Sequence, residues 1–285
     1  MSGMYAFIAV IFYIVLAPFI GGLIAGVDRR ISARMQSRFG PPILQPFYDA
    51  FKLMNKETVA VNSQQKIYII CFLVFIIISG AIFFAGGDLL LAIFALTLAS
   101  VFLIVGAYST FSPYAYIGAE REMLQIMAYE PMVILTTVGM YMVTKSFNVW
   151  DIATYDQPLL YSLPGIFIGF LFILTIKFRK SPFDISMSHH AHQEIVRGLI
   201  TEFSGRDLAL IEIAHWYENV FLLGIVCLFF ASSPVIGIVL ALLVYFIEIW
   251  IDNTYSRLKW QSVLSSAWIV ALVFGVGNIV YLALR

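Results

Sequence analysis

IYIICFLVFIIISGAIFFAG, residues 67–86, contains no charged side chain. About 20 apolar residues wound as an α-helix reach roughly 30 Å, the thickness of a bilayer's hydrocarbon core. Its apolar positions are continuous, whereas a barrel strand would alternate apolar and polar residues. A second run of the same kind, residues 88–109, follows at once. The Gly86-Gly87-Asp88 junction is too short to hold a domain, so it marks a tight hairpin between two spans.

The rest of the chain has the same character. Hydrophobic residues make up 61% of the 285 positions and charged residues 12%, against roughly 25% charged in a soluble domain. Mean hydropathy is +0.91. The fold class is therefore all-α, a polytopic helical membrane protein. The spans fall near 4–27, 67–86, 88–109, 119–143, 161–178, 208–231, 234–252 and 262–284, about eight in all. Ser232-Ser233-Pro234 marks a second tight hairpin. No internal repeat or low-complexity linker divides the chain, so residues 1–285 read as a single membrane domain.

Basic residues set an orientation. Segments 28–66, 110–121, 177–207 and 252–261 can be placed on one side of the membrane. Of the 17 Lys and Arg residues, only Lys145 and Arg285 then fall on the other. The positive-inside rule puts the rich side in the cytoplasm and both termini outside. The first span lacks a basic leading segment and is followed by Asp28-Arg29-Arg30, so it reads as a retained helix. Within the first basic loop, 44–57 reads LQPFYDAFKLMNKE. Phe47, Phe51 and Met54 recur at helical spacing while Asp49, Lys52 and Lys56 lie elsewhere. That pattern predicts a cytoplasmic amphipathic helix, resting on lipid or on a partner.

Charge within or beside lipid is costly, and in such a chain it marks function or assembly. Glu130 lies mid-span beside Pro131, which cannot satisfy the Met127 carbonyl. A carboxyl group next to loosened backbone fits a proton or ion stop, and equally a hydrogen-bonded group pinning helices together. Arg121, Gln125 and Tyr129 precede it at spacings of four. Glu120 and Glu122 flank Arg121, as at a solvated helix end. Glu212, His215 and Asn219 share a face of the sixth span, with Glu218 one turn beyond His215. Glu248 and Asp252 sit one turn apart on the seventh. Asp184, Glu194 and Glu202 occupy the loop before the sixth span. The ion-translocation candidates are thus Glu130, Glu202, Glu212, His215, Glu218, Glu248, Asp184 and Glu194. Arg29, Arg30, Arg38, Asp49, Lys52 and Arg121 are the candidates for docking a cytoplasmic partner.

Other chemistries find little support. Cys71 and Cys227 lie in separate apolar runs with no CxxC, which argues against an iron–sulfur or zinc site built by this chain alone. His189-His190-x-His192 would need Glu194 or Asp184 to complete four zinc ligands; titrating or partner-contacting loop histidines are the simpler reading. No nucleotide loop, dinucleotide fingerprint or nucleophile–base motif appears. The residues alone lead to ion movement or coupling, with no catalytic site and no metal in the chain.

Three blocks in order carry a resemblance. The first loop has Asp28-Arg29-Arg30, Gln36, Arg38 and Gly40-Pro41, then Leu44-Gln45-Pro46, Asp49, Lys52-Leu53 and Lys56-Glu57. The second is Arg121, Gln125, Tyr129 and Glu130. The third is Pro182-Phe183-Asp184, Glu194-Ile195-Val196-Arg197-Gly198 and Glu202-Phe203-Ser204-Gly205. Over most of its length the chain resembles the H-type membrane subunit of respiratory complex I and its relatives in energy-converting hydrogenases. It departs from complex I after the PFD motif, where SMSHHAHQ replaces an acidic stretch. This looks like the Ech-type membrane-bound hydrogenases. The insert between the two Gly-Pro motifs of the first loop, which in complex I helps shape the quinone site, is missing. His215 stands where complex I relatives tend to have a carboxylate.

The resemblance implies a subunit that holds no cofactor itself. It would dock a NiFe hydrogenase large subunit, a small subunit with an iron–sulfur cluster and a ferredoxin-like iron–sulfur subunit. An antiporter-like membrane subunit would stand beside it, and nucleic acid would play no part. Electrons would pass between ferredoxin and protons, and the 181–207 loop would transmit that step to H⁺ or Na⁺ movement through the buried carboxylates. A complex I-type quinone-site subunit, a stand-alone secondary ion transporter and a purely structural anchor are the competing readings.

Overall fold

The computed structural model describes residues 3–187 and 195–284. Every regular element among them is helical. The first is α1 (Gly3–Met35), followed by the short α2 (Gln45–Met54). Next come α3 (Gln65–Phe84), α4 (Leu89–Tyr108) and α5 (Pro113–Thr144). The small α6 (Val149–Ala153) leads to α7 (Pro164–Lys177). Then follow α8 (Gly205–Leu228), α9 (Pro234–Thr254), α10 (Trp260–Val270) and α11 (Gly277–Leu284). A π-helical segment, Ala271–Val276, joins α10 to α11 into one span.

Among the described residues, seven helices are long and apolar enough to cross a membrane. The expected fifth span is the exception. α7 has 14 residues, about 21 Å of helix against a core of roughly 30 Å. Eight of its residues are buried, so it is largely an interior helix, open on one side where Leu171 and Phe172 border a crevice toward α9. The polar Lys177–Lys180 stretch that follows is drawn into the bundle. The first and fourth spans run longer than their apolar stretches, to Met35 and from Pro113.

The hairpin at Gly86-Gly87-Asp88 forms as expected, with Gly86 in the left-handed region. Asp88 caps α4, accepting from the Leu91 N–H at 3.0 Å. α3 packs on α4, α8 and α1; α5 packs on α4, α7 and α10; α8 also packs on α9. α1 and α9 turn large apolar side chains outward, which lipid, unlike water, tolerates without cost.

Hydrogen bonds tie the basic segments together at one end of the bundle. Lys180 meets Asp28 and Asp252, Tyr114 meets Val196, and Ser204 meets Val59. At the opposite end Leu89 pairs with Phe147 and Leu160 with Phe229. The four basic segments therefore share one face of the molecule. The amphipathic helix α2 is present, but its seat differs from the predicted stripe. Pro46 and Ala50 are buried, and Phe47 packs against Trp216 with ring centres 5.2 Å apart. Phe51 and Met54 point away from the bundle and are exposed, so the outer apolar edge of α2 is free to rest on lipid.

Candidate functional site

α5, α7 and α8 each contribute one polar face to the middle of the bundle. On α5, Glu122, Gln125 and Tyr129 follow at three and four residues and are all buried. On α8, His215 and Glu218 stand one turn apart. α7 ends at Lys177, and Arg179 follows in a left-handed turn. That conformation is uncommon outside glycine. It is held here because the Arg179 side chain is anchored on both neighbouring helices.

The contacts form a connected chain of groups. Glu122 Oε1 accepts from Arg179 Nη2 at 3.3 Å. Arg179 Nη1 approaches the two ring nitrogens of His215 at 2.8 and 2.9 Å, and His215 Nδ1 stands 3.3 Å from Glu218 Oε2. Guanidinium only donates. Both contacts are satisfied together when His215 accepts from Arg179 on Nε2 and donates from Nδ1 to Glu218, which makes it a neutral imidazole. Lys177 Nζ reaches Glu218 Oε1 at 3.4 Å and lies 4.1 Å above the Tyr129 ring. Ser186 Oγ donates its one proton to Glu122 and stands 2.9 Å from Gln125 Oε1; Gln125 in turn donates to the Phe183 carbonyl at 2.6 Å. Two carboxylates face two cations, so the buried group is neutral as a set, the condition under which charge survives in an interior. A cavity of about 10 Å³ at its centre has room for about one water.

A second cluster lies at the basic end, beside a cleft there. Lys180 joins Asp28 of α1 and Asp252 of α9, and Tyr245 donates to Asp28 at 3.2 Å. Burial works against the Lys180 charge, and Asp28 and Asp252 more than reverse that, raising its pKa. Asp252 also accepts from the Ser181 N–H at 2.8 Å. Asp184 is buried and paired with Arg257 at 3.3 Å. Burial pushes its carboxyl up to about 6 against the pull of Arg257 and Arg179. Phe183, Asp184 and Ser186 thus plug the loop into the helix bundle, Ser186 touching the first cluster and Asp184 paired beside the second.

The sequence candidates divide accordingly. His215 and Glu218 belong to the central cluster, and Asp184 to the second. Glu212 is half-buried and near enough to act on His215 electrostatically. Glu130 is half-buried one residue past Tyr129 and accepts from Thr97 of α4 at 2.7 Å, so it faces a different neighbour. Glu248 lies beyond α7. Its neighbour Thr175 is two residues from Lys177, about 200° around the helix and so on the opposite face. Glu202 is half-buried just past the 3₁₀ turn Gly198–Ile200. Glu194, with His189, His190 and His192, lies outside the described residues.

Of the docking candidates, Arg29 and Asp49 pair at 2.7 Å across α1 and α2, while Arg30, Arg38 and Lys52 are exposed. Arg29, Arg38, Arg121, Arg257 and Lys259 line a cleft of about 810 Å³ at the basic end. Lys177, Arg179 and Glu122 are central residues that the sequence presented only as loop charge or a solvated helix end. The shortness of the apolar run before Lys177 was the one signal that these groups lie inside.

The family described as NADH dehydrogenase matches residues 7–283. The chain belongs to that family. Hydrogenase-4 component C of Escherichia coli is 28% identical over 280 residues, covering 87% of each chain. The H-type subunit of NADH-quinone oxidoreductase from Dehalococcoides mccartyi is 27% identical, covering 90% of this chain and 80% of its own. A protein in the structure of the membrane-bound sulfane sulfur reductase, an archaeal respiratory membrane complex, has the same fold. Its TM-score is 0.82 at 24% identity, covering 96% of this chain and 99% of that one. The curated relatives named are thus a component of a hydrogenase and a subunit of an NADH-quinone oxidoreductase.

Proposed function

We propose that this chain docks a redox arm on the cytoplasmic membrane and couples its turnover to H⁺ or Na⁺ translocation. The arm would comprise NiFe hydrogenase large and small subunits and a ferredoxin-like iron–sulfur subunit, and an antiporter-like subunit would take up the coupling within the membrane. The basic cleft supports docking. Likeness to the hydrogenase-4 component supports the hydrogenase reading over the alternatives.

One observation carries the coupling proposal: the Phe183–Ser186 loop reaches from the docking end and holds Glu122 and Gln125 directly. A redox-driven shift of the loop would withdraw the Ser186 donor from Glu122 and change the balance that Arg179 shares between Glu122 and His215. Such a device requires two loop states whose populations depend on the redox state of the arm. Glu218 and His215 then relay the change toward Lys177 and Tyr129, and Glu130, Glu202, Glu212, Glu248 and Glu194 extend the set of ion stops. The test is the intact complex reconstituted in liposomes. E122Q, E218Q and E130Q are expected to leave electron transfer measurable while ion-gradient formation collapses. Full coupled turnover in all three would overturn the reading. Equimolar nickel in the complex from native membranes would establish the hydrogenase arm.

The NADH-quinone relatives support a second reading, a quinone-reducing assembly. Iron without nickel, with quinone-dependent turnover, would favour it.

A further inference from the structure

Between α7 and α9, beside the Lys180–Asp252 cluster, runs a crevice of about 470 Å³. That volume is in the range of small-ligand sites. Its walls are Leu171 and Phe172 of α7, Val244 and Ile247 of α9, and Phe183 of the loop. Glu248 and Thr175 are the polar groups on this apolar surface, and the Thr175 hydroxyl bonds the Glu248 carboxyl. Glu248 is 2% exposed, it lines the crevice, and its Oε2 has no hydrogen-bond partner among the described residues. A buried carboxyl oxygen without a donor is costly, so the site lacks a donor that a ligand can bring.

Depth and side-chain size define the ligand. Glu248 is six residues from the end of α9 at Thr254, roughly 9 Å along the axis. It therefore sits near the boundary between headgroups and acyl chains. Trp250 and Tyr255 stand exposed at the mouth, the side-chain types that mark the membrane interface. A neighbouring helix would pack best against small residues, whereas this crevice is walled by Leu, Phe, Val and Ile. A flexible chain fits such a surface better. We propose that the crevice binds a phospholipid with a donor-bearing headgroup, its ammonium hydrogen-bonded to Glu248 and an acyl chain laid between α7 and α9. Because Pro182 and Phe183 form one edge of the crevice, the bound lipid also braces the loop that reaches the central cluster.

The intact complex would be placed in nanodiscs of phosphatidylethanolamine and phosphatidylcholine with matched chains. The first headgroup carries N–H donors and the second carries none. A photo-crosslinking residue replaces Ile247 at the mouth, and adducts are identified by mass spectrometry. The expected result is enrichment of phosphatidylethanolamine adducts several-fold over the bilayer ratio, abolished when E248L is added and partly kept in E248Q, whose amide oxygen still accepts. An adduct ratio equal to the bilayer's, or a preference that survives E248L, would overturn the proposal. So would cross-linking chiefly to another polypeptide, which would make the crevice a helix seat.

Discussion

Asp184 is the titratable group best placed to report on the loop. Its carboxyl is held up to about 6, against an ordinary value of 3.8, because burial outweighs the attraction of Arg257 and Arg179. A raised value means that the folded loop binds the proton more tightly than the unfolded chain does. Its stabilising contribution is full below about pH 3.8 and is lost as pH rises through about 6. The loop should therefore resist protease better at pH 5 than at pH 7, and D184N should flatten that difference. An infrared carboxyl band titrating near 6 and missing from D184N would confirm the assignment; an unchanged profile would refute it. Lys177 and Glu218 make a different case, since their side chains are only 5% and 6% exposed. Removing one partner of a buried pair costs about 3–5 kcal/mol, because the other charge is stranded. K177M is expected to lower the melting temperature of the complex sharply. The K177M/E218Q double variant should recover much of the loss, and strictly additive effects would mean that the two charges do not interact.

At the scale of elements, α7 determines the site because it is short. Were it a full span, Lys177 and Arg179 would emerge at the surface with the other basic residues. Ending early, it delivers them against Glu122 of α5 and Glu218 of α8. The return loop is seated just as closely on α5. A Cβ at Gly118 would stand 2.3 Å from the Leu199 nitrogen and 2.4 Å from the Gly198 carbonyl carbon, so only glycine lets the 3₁₀ turn lie on that helix. Gly205 begins α8 in the left-handed region, and a Cβ there would meet the Glu57 carbonyl oxygen at 2.4 Å. G118V is expected to cost about 1–3 kcal/mol through overpacking and to loosen the 195–204 segment. Limited proteolysis and retention of the soluble arm would measure both effects, and wild-type behaviour in both would show that the turn has room to move.

The whole molecule is polarised, with the basic segments and their cleft gathered at one end. The positive-inside rule assigns that end to the cytoplasm. An alkaline phosphatase fused at either terminus should therefore be active, and a fluorescent protein that matures only in the cytoplasm should stay dark there. The opposite pattern would invert the topology and move the proposed docking face outside.

Sequence alone determined the helical membrane class, the hairpins at Gly86-Gly87-Asp88 and Ser232-Ser233-Pro234, the amphipathic α2 and the grouping of basic segments. Each of these is written in local composition, because bilayer thickness and turn chemistry act on contiguous residues. It also marked His215 and Glu218, which share a helix and so have a fixed spacing. The joining of Glu122 to Arg179, of Lys177 to Glu218 and of Lys180 to Asp28 and Asp252 was decided only by tertiary structure. These partners lie between 41 and 152 residues apart, and no periodicity links them. Whether a Lys or Arg near a helix end is solvated or buried depends on how deep that end lies among its neighbours, a property of the packed bundle.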